Sequence, residues 1–288
     1  MKLGLKADPN ANRRFLLLSP PGISLSRGFQ QVNADRERRR DLMVDMQRLR
    51  GRVYLQDGAI SSSDLTPDGR HFQSVDEESW HLLILNSYDR VVGCTRYLQH
   101  SASTSFHRLR VRTAALARMG PWHERLRKAV EGELDNARRS GFSFVEVGGW
   151  ALDQSIRGSS DALRSVLFTF AWSQVIGGCL GLSMATHRNG SASILRRIGG
   201  RPLEWQGTTL PPYYDPQYKC EMEVIRFDSR LPAEKYRHAI DGIRSEIPYM
   251  QVICADQPAP VWHSFVNRLH NPATALIPWR TEGVAPAA

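Results

Sequence analysis

The stretch that decides the fold is FVEVGGWAL at residues 144–152, followed after a short polar link by RGSSDAL at residues 157–163. The first run is rich in β-branched and aromatic residues and predicts a strand, in which the pair Gly148-Gly149 indicates a bulge. The second run predicts that a helix begins at Ser159 or Ser160, because a serine side chain caps free N–H groups. A strand, a loop of small residues and a helix therefore follow one another.

The loop before this helix has the character of an anion site. The N–H groups of a helix's first turn lack acceptors within the helix, and the helix dipole adds positive charge there. Small side chains let a phosphate approach the backbone, and Arg157 can add charge-assisted hydrogen bonds. The alternative is an ordinary strand-to-helix connection with a serine cap, and the local pattern alone favours that alternative.

Further elements are predicted on both sides of this stretch. Two apolar runs, HLLIL at 81–85 and VVGCTRYL at 91–98, flank the polar turn NSYDR and predict a β-hairpin. Residues 31–55 are dense in charge and carry apolar residues at helical spacing, which predicts a helix. The remaining predicted elements are a helix from Pro121 to about Ser140, a strand over 142–152, a helix to about Ile176, a strand over 180–186, a helix over 191–198, a strand over 218–227 and a helix over 232–247.

This order of elements predicts an α/β (α+β) fold, in which a mixed sheet carries helices on both faces. We expect a lead-in with one possible strand at 1–30, a domain at 31–227 and a helical or irregular C-terminal extension at 228–288. The chain has 288 residues of ordinary globular composition, which excludes a disordered chain, a collagen-like fibre and a coiled coil.

The chain is basic, with 38 Lys and Arg against 29 Asp and Glu, and only five of the 38 are lysines. A basic surface attracts nucleic acid, anionic lipid or an acidic protein, and charge alone does not choose between them. The run of Arg36, Arg38, Arg39 and Arg40 is either a docking site for an acidic protein or a solvated helix face. It lacks interleaved aromatic residues, and the chain carries no known nucleic-acid motif, so we expect no nucleic-acid partner.

The four cysteines show neither C-x-x-C spacing nor a neighbouring histidine cluster. We therefore expect free buried thiols in a reducing cytoplasm, with no metal site. The uncharged stretch 165–186 has the length of a membrane span, but Ser173, Gln174 and Gly177-Gly178 interrupt it. This pattern favours a buried helix, a glycine stop and a buried strand in a soluble chain without a transmembrane segment.

The block from 142 to 200 resembles the core of the GNAT acyltransferase superfamily. That core has a bulged strand, a phosphate loop of the form Arg/Gln-x-x-Gly-x-Gly/Ala, a helix, a splayed strand and an Asn-x-x-Ala helix start, which the run Asn189 to Ala192 matches. Leu195 and Arg196 lie where the superfamily often has a tyrosine that acts as a general acid, so that tyrosine is missing here. In this chain the loop consists of Arg157, Gly158, Ser159, Ser160, Asp161 and Ala162. Ser160 stands where the superfamily pattern has glycine.

Residues upstream narrow the resemblance to acyl-homoserine-lactone autoinducer synthases and long-chain N-acyl amino acid synthases, over roughly 40–227. Two positions depart from their pattern: the expected tryptophan falls near Ile60, and the arginine expected three residues after the glutamate is Gly149. The positions that match are Arg50, Tyr54, Asp76, Arg96 and Glu146.

The resemblance implies a mostly antiparallel sheet that splays after Glu146, and transfer of a fatty acyl group from an acyl carrier protein to the amine of an amino acid or similar molecule. It implies acyl-phosphopantetheine or acyl-CoA as co-substrate, with no tightly bound cofactor. Glu146 would be the catalytic base, and the donor would bind at Gly148, Gly149, Trp150 and the loop from Arg157 to Ala162. Arg50, Tyr54, Asp76 and Arg96 would shape the amine pocket or the carrier entrance.

Each of these roles has a structural alternative. An ammonium must lose a proton before it attacks, so a carboxylate near the amine is required. Glu146 is nearly as well explained by a structural ion pair with Arg96, and both roles can hold together. The alternative for the Arg50, Asp76 and Arg96 network is a set of solvated surface pairs. Five aromatic residues would line an acyl tunnel or belong to the core, which is the usual place for them: Trp80, Trp150, Phe168, Phe170 and Trp172.

The leading interpretation is an N-acyl amino acid synthase, since Gly149 in place of the family arginine argues against a lactone product. Three alternatives stay open: an autoinducer synthase proper, an acetyl-CoA-dependent N-acetyltransferase, and a GNAT-shaped module that binds or regulates without catalysis. The missing tyrosine and the imperfect loop favour the module, whereas Glu146 and Arg157 favour an enzyme.

Overall fold

A computed structural model describes residues 13–23, 28–101 and 103–256 of the chain, which form five α-helices and twelve strands. The helices are α1 (Arg36–Gln56), α2 (Trp122–Ser140), α3 (Ser160–Val175), α4 (Ser191–Ile198) and α5 (Arg237–Glu246). The strands are β1 (Arg14–Leu18), β2 (Gln31–Ala34), β3 (Trp80–Leu85), β4 (Val91–His100), β5 (Ser143–Leu152), β6 (Cys179–Thr186), β7 (Arg201–Pro202), β8 (Glu204–Trp205), β9 (Thr208–Thr209), β10 (Tyr213–Asp215), β11 (Cys220–Asp228) and β12 (Gln251–Cys254).

Ten of these strands form one mixed sheet, in the order β10-β11-β6-β5-β4-β3-β1-β12-β2, with β7 also paired to β11. The strands β8 and β9 form a separate ribbon. Only β1 with β12, β12 with β2, and β5 with β6 run parallel, and the other pairings in the large sheet are antiparallel. The predicted mixed, mostly antiparallel sheet is therefore confirmed.

Helices cover both faces of the sheet, as predicted. Apolar residues of α1 and α2 pack on one face, and those of α3, α4 and α5 pack on the other. The second layer contains Trp80, Phe168, Phe170 and Trp172, which are almost fully buried, and Trp80 and Trp172 have ring centroids 4.8 Å apart. These four aromatic residues belong to the core, so the tunnel hypothesis is not supported for them.

The sheet opens between its two central strands. β5 and β6 pair in parallel from Ser143 opposite Cys179 to Glu146 opposite Leu182. Their pairing ends there, although both strands continue. On its other edge β5 carries the predicted bulge, because two residues, Gly149 and Trp150, face Thr95 of β4. Gly149 has a φ of +62°, a conformation that glycine adopts without steric cost. The predicted splay after Glu146 is confirmed.

Segments on both sides of 31–227 contribute strands to the same sheet. β1 lies between β3 and β12, and β12 pairs in parallel with β2 as well. The helix predicted over 31–55 begins only at Arg36, because Asp35 caps it by accepting the Arg38 N–H at 2.8 Å. Residues 1–12 of the expected lead-in and 257–288 of the expected extension lie outside the described residues.

The uncharged stretch 165–186 divides as predicted, since α3 ends at Val175, glycines 177 and 178 follow, and β6 begins at Cys179. Within the described ranges, no helix has both the length and the apolar character that crossing a bilayer requires.

Candidate active site

A cavity of about 1020 Å³ opens where β5 and β6 separate. Its volume lies at the upper end of the range for small-molecule sites, roughly 300–1,000 Å³. The end of α1, the bulge of β5, the loop before α3, and α4 all contribute to its wall. Much of the lining is aliphatic, and it includes Val53, Val147, Leu163, Val166, Leu182, Met184, Ile194 and Leu195.

Glu146 lines this cavity at the point of the splay. Its Oε1 accepts the N–H of Val111 at 2.9 Å, and its Oε2 accepts the N–H of Arg110 at 2.9 Å. The Nε2 of His100 lies 2.9 Å from the same Oε2. The alternative in which Glu146 pairs with Arg96 is therefore wrong, because Arg96 pairs elsewhere.

Arg50, Asp76 and Arg96 meet in a buried network beside the cavity. The two Nη atoms of Arg50 donate to the two carboxylate oxygens of Asp76, and Arg96 Nη1 donates to Asp76 Oδ1 at 3.1 Å and also to Gln73. The side chains of Arg50 and Asp76 are fully buried, so the alternative of solvated surface pairs is wrong. The predicted network is present, with Tyr54 next to it in the cavity wall.

The network holds its carboxylate ionised. Burial opposes the charge of Asp76, but the Arg50 guanidinium and then Arg96 outweigh it and lower the pKa of that carboxyl well below its usual range. Burial also raises the pKa of Tyr54, whose hydroxyl lies 3.5 Å from the carbonyl oxygen of Trp150. Asp76 therefore neutralises one of the two guanidiniums that it contacts.

The loop before α3 has the predicted cap and an unforeseen ion pair. Ser159 Oγ accepts the Ala162 N–H at 3.3 Å, as expected of an N-cap. Arg157 donates from Nη1 and Nη2 to the two carboxylate oxygens of Asp57, at 3.0 and 2.9 Å. The carboxylate of Asp161 binds Arg13 at 2.5 Å. The cation expected to hold a phosphate thus already has an acidic partner.

The bulge and part of the loop line the cavity, whereas Ser160 and Asp161, which were also expected at the donor site, are not among its lining residues. Gly158, Ser159 and Ala162 line it from the loop, and Gly148, Gly149 and Trp150 line it from β5. The run Asn189 to Ala192 leads into α4 as predicted, and the Asn189 amide donates to Asp57 at 3.4 Å.

The basic run at the start of α1 is compensated by acidic residues. Arg38 pairs with Asp89 at 2.8 Å, Arg36 with Asp256, and Arg40 with Asp41 at 3.5 Å. Arg39 is buried and pairs with Glu77 at 2.8 Å while donating to the Ser19 carbonyl oxygen. The interpretation of this run as a uniform solvated face is therefore wrong at Arg39.

Four functional candidates in or beside the cavity were not predicted: Asp57, His100, Arg110 and Tyr218. Arg110 lies in a series of 3-10 turns over residues 106–118, which has neither helical nor strand periodicity. Tyr218 precedes β11, and its ring lies 6.4 Å from that of Tyr54. Local sequence signals identify elements, and these residues reach the cavity only through tertiary contacts.

All four cysteines are buried and unpaired, as expected. Cys94 donates to the carbonyl oxygen of Gly149 at 3.3 Å, and burial raises the pKa of the Cys94 thiol to about 11. In the part of the chain that the structure describes, no group of three or more His, Cys, Asp or Glu residues is placed to hold a metal ion.

No protein-family model matches this chain, and no curated protein matches its sequence. Solved structures do show similarity. The CoA-dependent acyl-homoserine lactone synthase BjaI, with MTA, is 14% identical over 88% of this chain and 98% of its own, with a TM-score of 0.49. FeeM, an N-acyl amino acid synthase from uncultured soil microbes, is 11% identical over 76% and 92%, with a TM-score of 0.45. The acyl-homoserine lactone synthase LasI is 12% identical over 76% and 90%, with a TM-score of 0.42. These are the groups that the sequence motifs resemble.

Proposed function

We propose that this protein is an N-acyltransferase that moves a fatty acyl group from a phosphopantetheine thioester to the amine of an amino acid or similar small molecule. The observation that carries this proposal is the splay between β5 and β6, which opens an aliphatic cavity of about 1020 Å³ beside a buried glutamate. The volume favours a long acyl chain over an acetyl group, since it reaches the upper end of small-molecule sites.

The donor would enter as an added strand. Beyond Glu146 and Leu182 the facing edges of β5 and β6 no longer pair with each other. A pantetheine arm carries amide groups that can hydrogen-bond to such edges, as an extended peptide does when it joins a sheet. Its phosphate would then meet the loop from Arg157 to Ala162, where the first-turn N–H groups of α3 and the helix dipole favour an anion.

The chemistry needs a base, an oxyanion site and a leaving group. Glu146 would accept a proton from the ammonium, directly or through water, and the freed amine would attack the thioester carbonyl carbon. Backbone N–H groups at the Gly148-Gly149 bulge would stabilise the oxyanion. The new C–N bond forms, the C–S bond breaks, and the leaving thiolate takes the second proton that the nitrogen loses, which gives the free thiol of the donor.

Acyl carrier protein is the donor that we propose, with acyl-CoA as the alternative form of the same thioester. The compensated charges of Arg36, Arg38, Arg39 and Arg40 weaken the case for docking at that run. The net positive charge of the chain still favours encounter with an acidic carrier.

The test is direct. The purified protein is incubated with acyl-CoA and acyl-carrier-protein donors of two to sixteen carbons and with a panel of amino acids and simple amines, and amides are identified by mass spectrometry. We expect an amide-linked fatty acyl amino acid. Acetylated products alone would indicate an acetyltransferase instead, and a lactone product would indicate an autoinducer synthase. The absence of any amide with every donor would contradict the proposal.

A further inference from the structure

Arg110 is a cation in the cavity wall with no acidic side chain bound to it. It lies in the 3-10 turn Arg110–Thr113 and is half-buried. Its main-chain N–H donates to Glu146 Oε2 at 2.9 Å, which fixes its backbone directly beside the proposed base. Within residues 13–23, 28–101 and 103–256, no carboxylate pairs with its guanidinium, although most arginines in these ranges have such a partner.

Three guanidiniums, those of Arg110, Arg96 and Arg50, face two carboxylates here, those of Asp76 and Glu146. Burial, and after it the nearby guanidiniums of Arg110 and Arg50, lower the pKa of Arg96. Burial raises the pKa of Tyr218, which the positive charges of Arg110 and Arg96 oppose. Asp76 is bound to Arg50 and Arg96 and does not reach Arg110. An uncompensated guanidinium in a partly buried cavity favours an anionic ligand, because it forms strong charge-assisted bonds there.

An α-amino acid carries its amine and its carboxylate on one carbon atom. A site that recognises both needs an acceptor for the amine and a cation for the carboxylate within a few ångströms of each other. Glu146 and Arg110 both line the cavity, and the hydrogen bond from the Arg110 main-chain N–H to Glu146 Oε2 at 2.9 Å anchors the base of the Arg110 side chain next to that carboxylate. Their adjacency gives the cavity the opposite charges that a zwitterionic acceptor requires.

We propose that Arg110 binds the carboxylate of the acceptor and so makes the protein selective for amino acids over simple amines. This inference rests on the proposed N-acyl transfer. Arg110 is a specificity-determining residue, and Glu146 remains the base. The phosphate of the donor is the other source of an anion, and the experiment separates the two sources.

The experiment compares three acceptors that share one side chain: an amino acid from the product screen, its amide and its decarboxylated amine. Each is assayed with the wild type, Arg110→Gln, Arg110→Lys and the control Arg112→Gln. Arg112 lies in the same turn and is exposed. The side-chain changes keep the main-chain N–H that binds Glu146, and thermal melting verifies that each variant is folded.

We expect Arg110→Gln to raise the KM of the amino acid roughly 10–100-fold, as loss of a charged hydrogen bond does, with Arg110→Lys between it and the wild type. The decarboxylated amine should be a poor substrate of the wild type and be little affected by the substitution. The KM of the donor should stay constant, and Arg112→Gln should resemble the wild type.

Two results would overturn the role of Arg110 while leaving N-acyl transfer intact. One is equal use of the amino acid and its decarboxylated amine by the wild type. The other is a rise in donor KM in Arg110→Gln, which would assign Arg110 to the donor phosphate. If no amine is acylated, the proposed function fails, and calorimetric titration of each amino acid of the panel into wild type and Arg110→Gln still tests the site. Equal affinities there would reject the carboxylate site.

Discussion

Asp57, at the end of α1, and Arg157, in the loop before α3, form a bidentate ion pair. Arg157 Nη1 and Nη2 donate to Asp57 Oδ1 and Oδ2 at 3.0 and 2.9 Å. Both residues line the cavity, so the pair ties its two walls together. The same carboxylate accepts a hydrogen bond from Asn189 at 3.4 Å, which adds the approach to α4. Asp57 therefore binds the guanidinium that we propose for the donor phosphate.

The first prediction concerns this competition. Asp57→Asn removes the negative charge and frees Arg157, so the KM of the donor should fall several-fold. Arg157→Ala should raise the KM of the donor and have a smaller effect on kcat, because a phosphate is bound before and during the reaction. The pair is partly exposed, so we expect the stability to change by less than about 1 kcal/mol. Steady-state kinetics with acyl-CoA measure both effects.

The control is Arg52→Gln, which removes the neighbouring ion pair between α1 and Asp153 at 3.1 Å. It should leave the donor KM unchanged. A higher donor KM in Asp57→Asn would contradict the competition and indicate that Asp57 positions Arg157 for the phosphate.

The second prediction concerns Glu146. Glu146→Gln should lower turnover by roughly 10²–10⁴, as loss of a general base does, with little change in the donor KM. It should also destabilise the protein by about 1–3 kcal/mol, because both oxygens accept main-chain N–H groups and an amide nitrogen cannot replace either oxygen. Turnover per folded molecule and the urea unfolding curve are the two measurements.

His100→Gln is the matched variant, since it alters the same hydrogen-bonded group but keeps the carboxylate. It should reduce turnover far less than Glu146→Gln does. Near-normal turnover of folded Glu146→Gln would end the case for Glu146 as the base and leave it as an anchor of the turn at Arg110 and Val111.

The central elements of the fold were predictable because their signals are local. Asp89 and its neighbours turn the β3–β4 hairpin, Ser159 caps α3, and Gly141 ends α2 with a φ of +66°. Each of these signals lies within a few residues of the element that it bounds. The order α2, β5, α3, β6 and α4 followed from them, and the glycine pair marked the bulge.

The rest of the fold and site depends on partners that are far apart in the sequence. β12 has four residues, and it forms a strand because β1 and β2 lie on both sides of it. Asp57 and Arg157 are 100 positions apart, and Arg110 is 36 from Glu146. Residue types identified Arg157 and Glu146 as candidates, but no local pattern specifies which group each one binds.

The third prediction separates the two glycines of the bulge. Gly149→Ala places a Cβ 3.3 Å from Arg50 Nη1 and from Arg96 Cβ, in a left-handed conformation with a φ of +62°. This conformation costs a residue with a side chain about 1–2 kcal/mol. Gly148→Ala is the control, because its Cβ would meet Arg96 Nη2 at an ordinary 3.4 Å. Urea unfolding should show the larger loss for Gly149→Ala, and equal losses would contradict the conformational argument.

The last prediction concerns stability at acid pH. Burial, with help from the guanidiniums of Arg50 and Arg96, lowers the pKa values of His71 and His81 to about 4, although Asp76 opposes the shift. His81 Nε2 donates to the carbonyl oxygen of Asp76 at 2.8 Å, and in the described residues its buried Nδ1 has no partner. Protonation would therefore create a buried Nδ1–H donor without an acceptor and a positive charge beside Arg96 and Arg50.

The unfolded chain binds a proton at each histidine below about pH 6.5, whereas the folded chain does so only near pH 4. The unfolded state thus gains protons first as the pH falls, and stability is lost between these values, by up to about 1.4 kcal/mol per pH unit for each histidine. Asp76, whose pKa is lowered against burial by Arg50 and Arg96, adds a further loss below about pH 4.

Free energies of unfolding in urea from pH 8 to pH 4 should show the decline. His81→Gln keeps a donor for the Asp76 carbonyl and should make the slope shallower, whereas the exposed His107→Gln should leave it unchanged. The same slope in His81→Gln and the wild type would show that His81 is not held neutral by its burial.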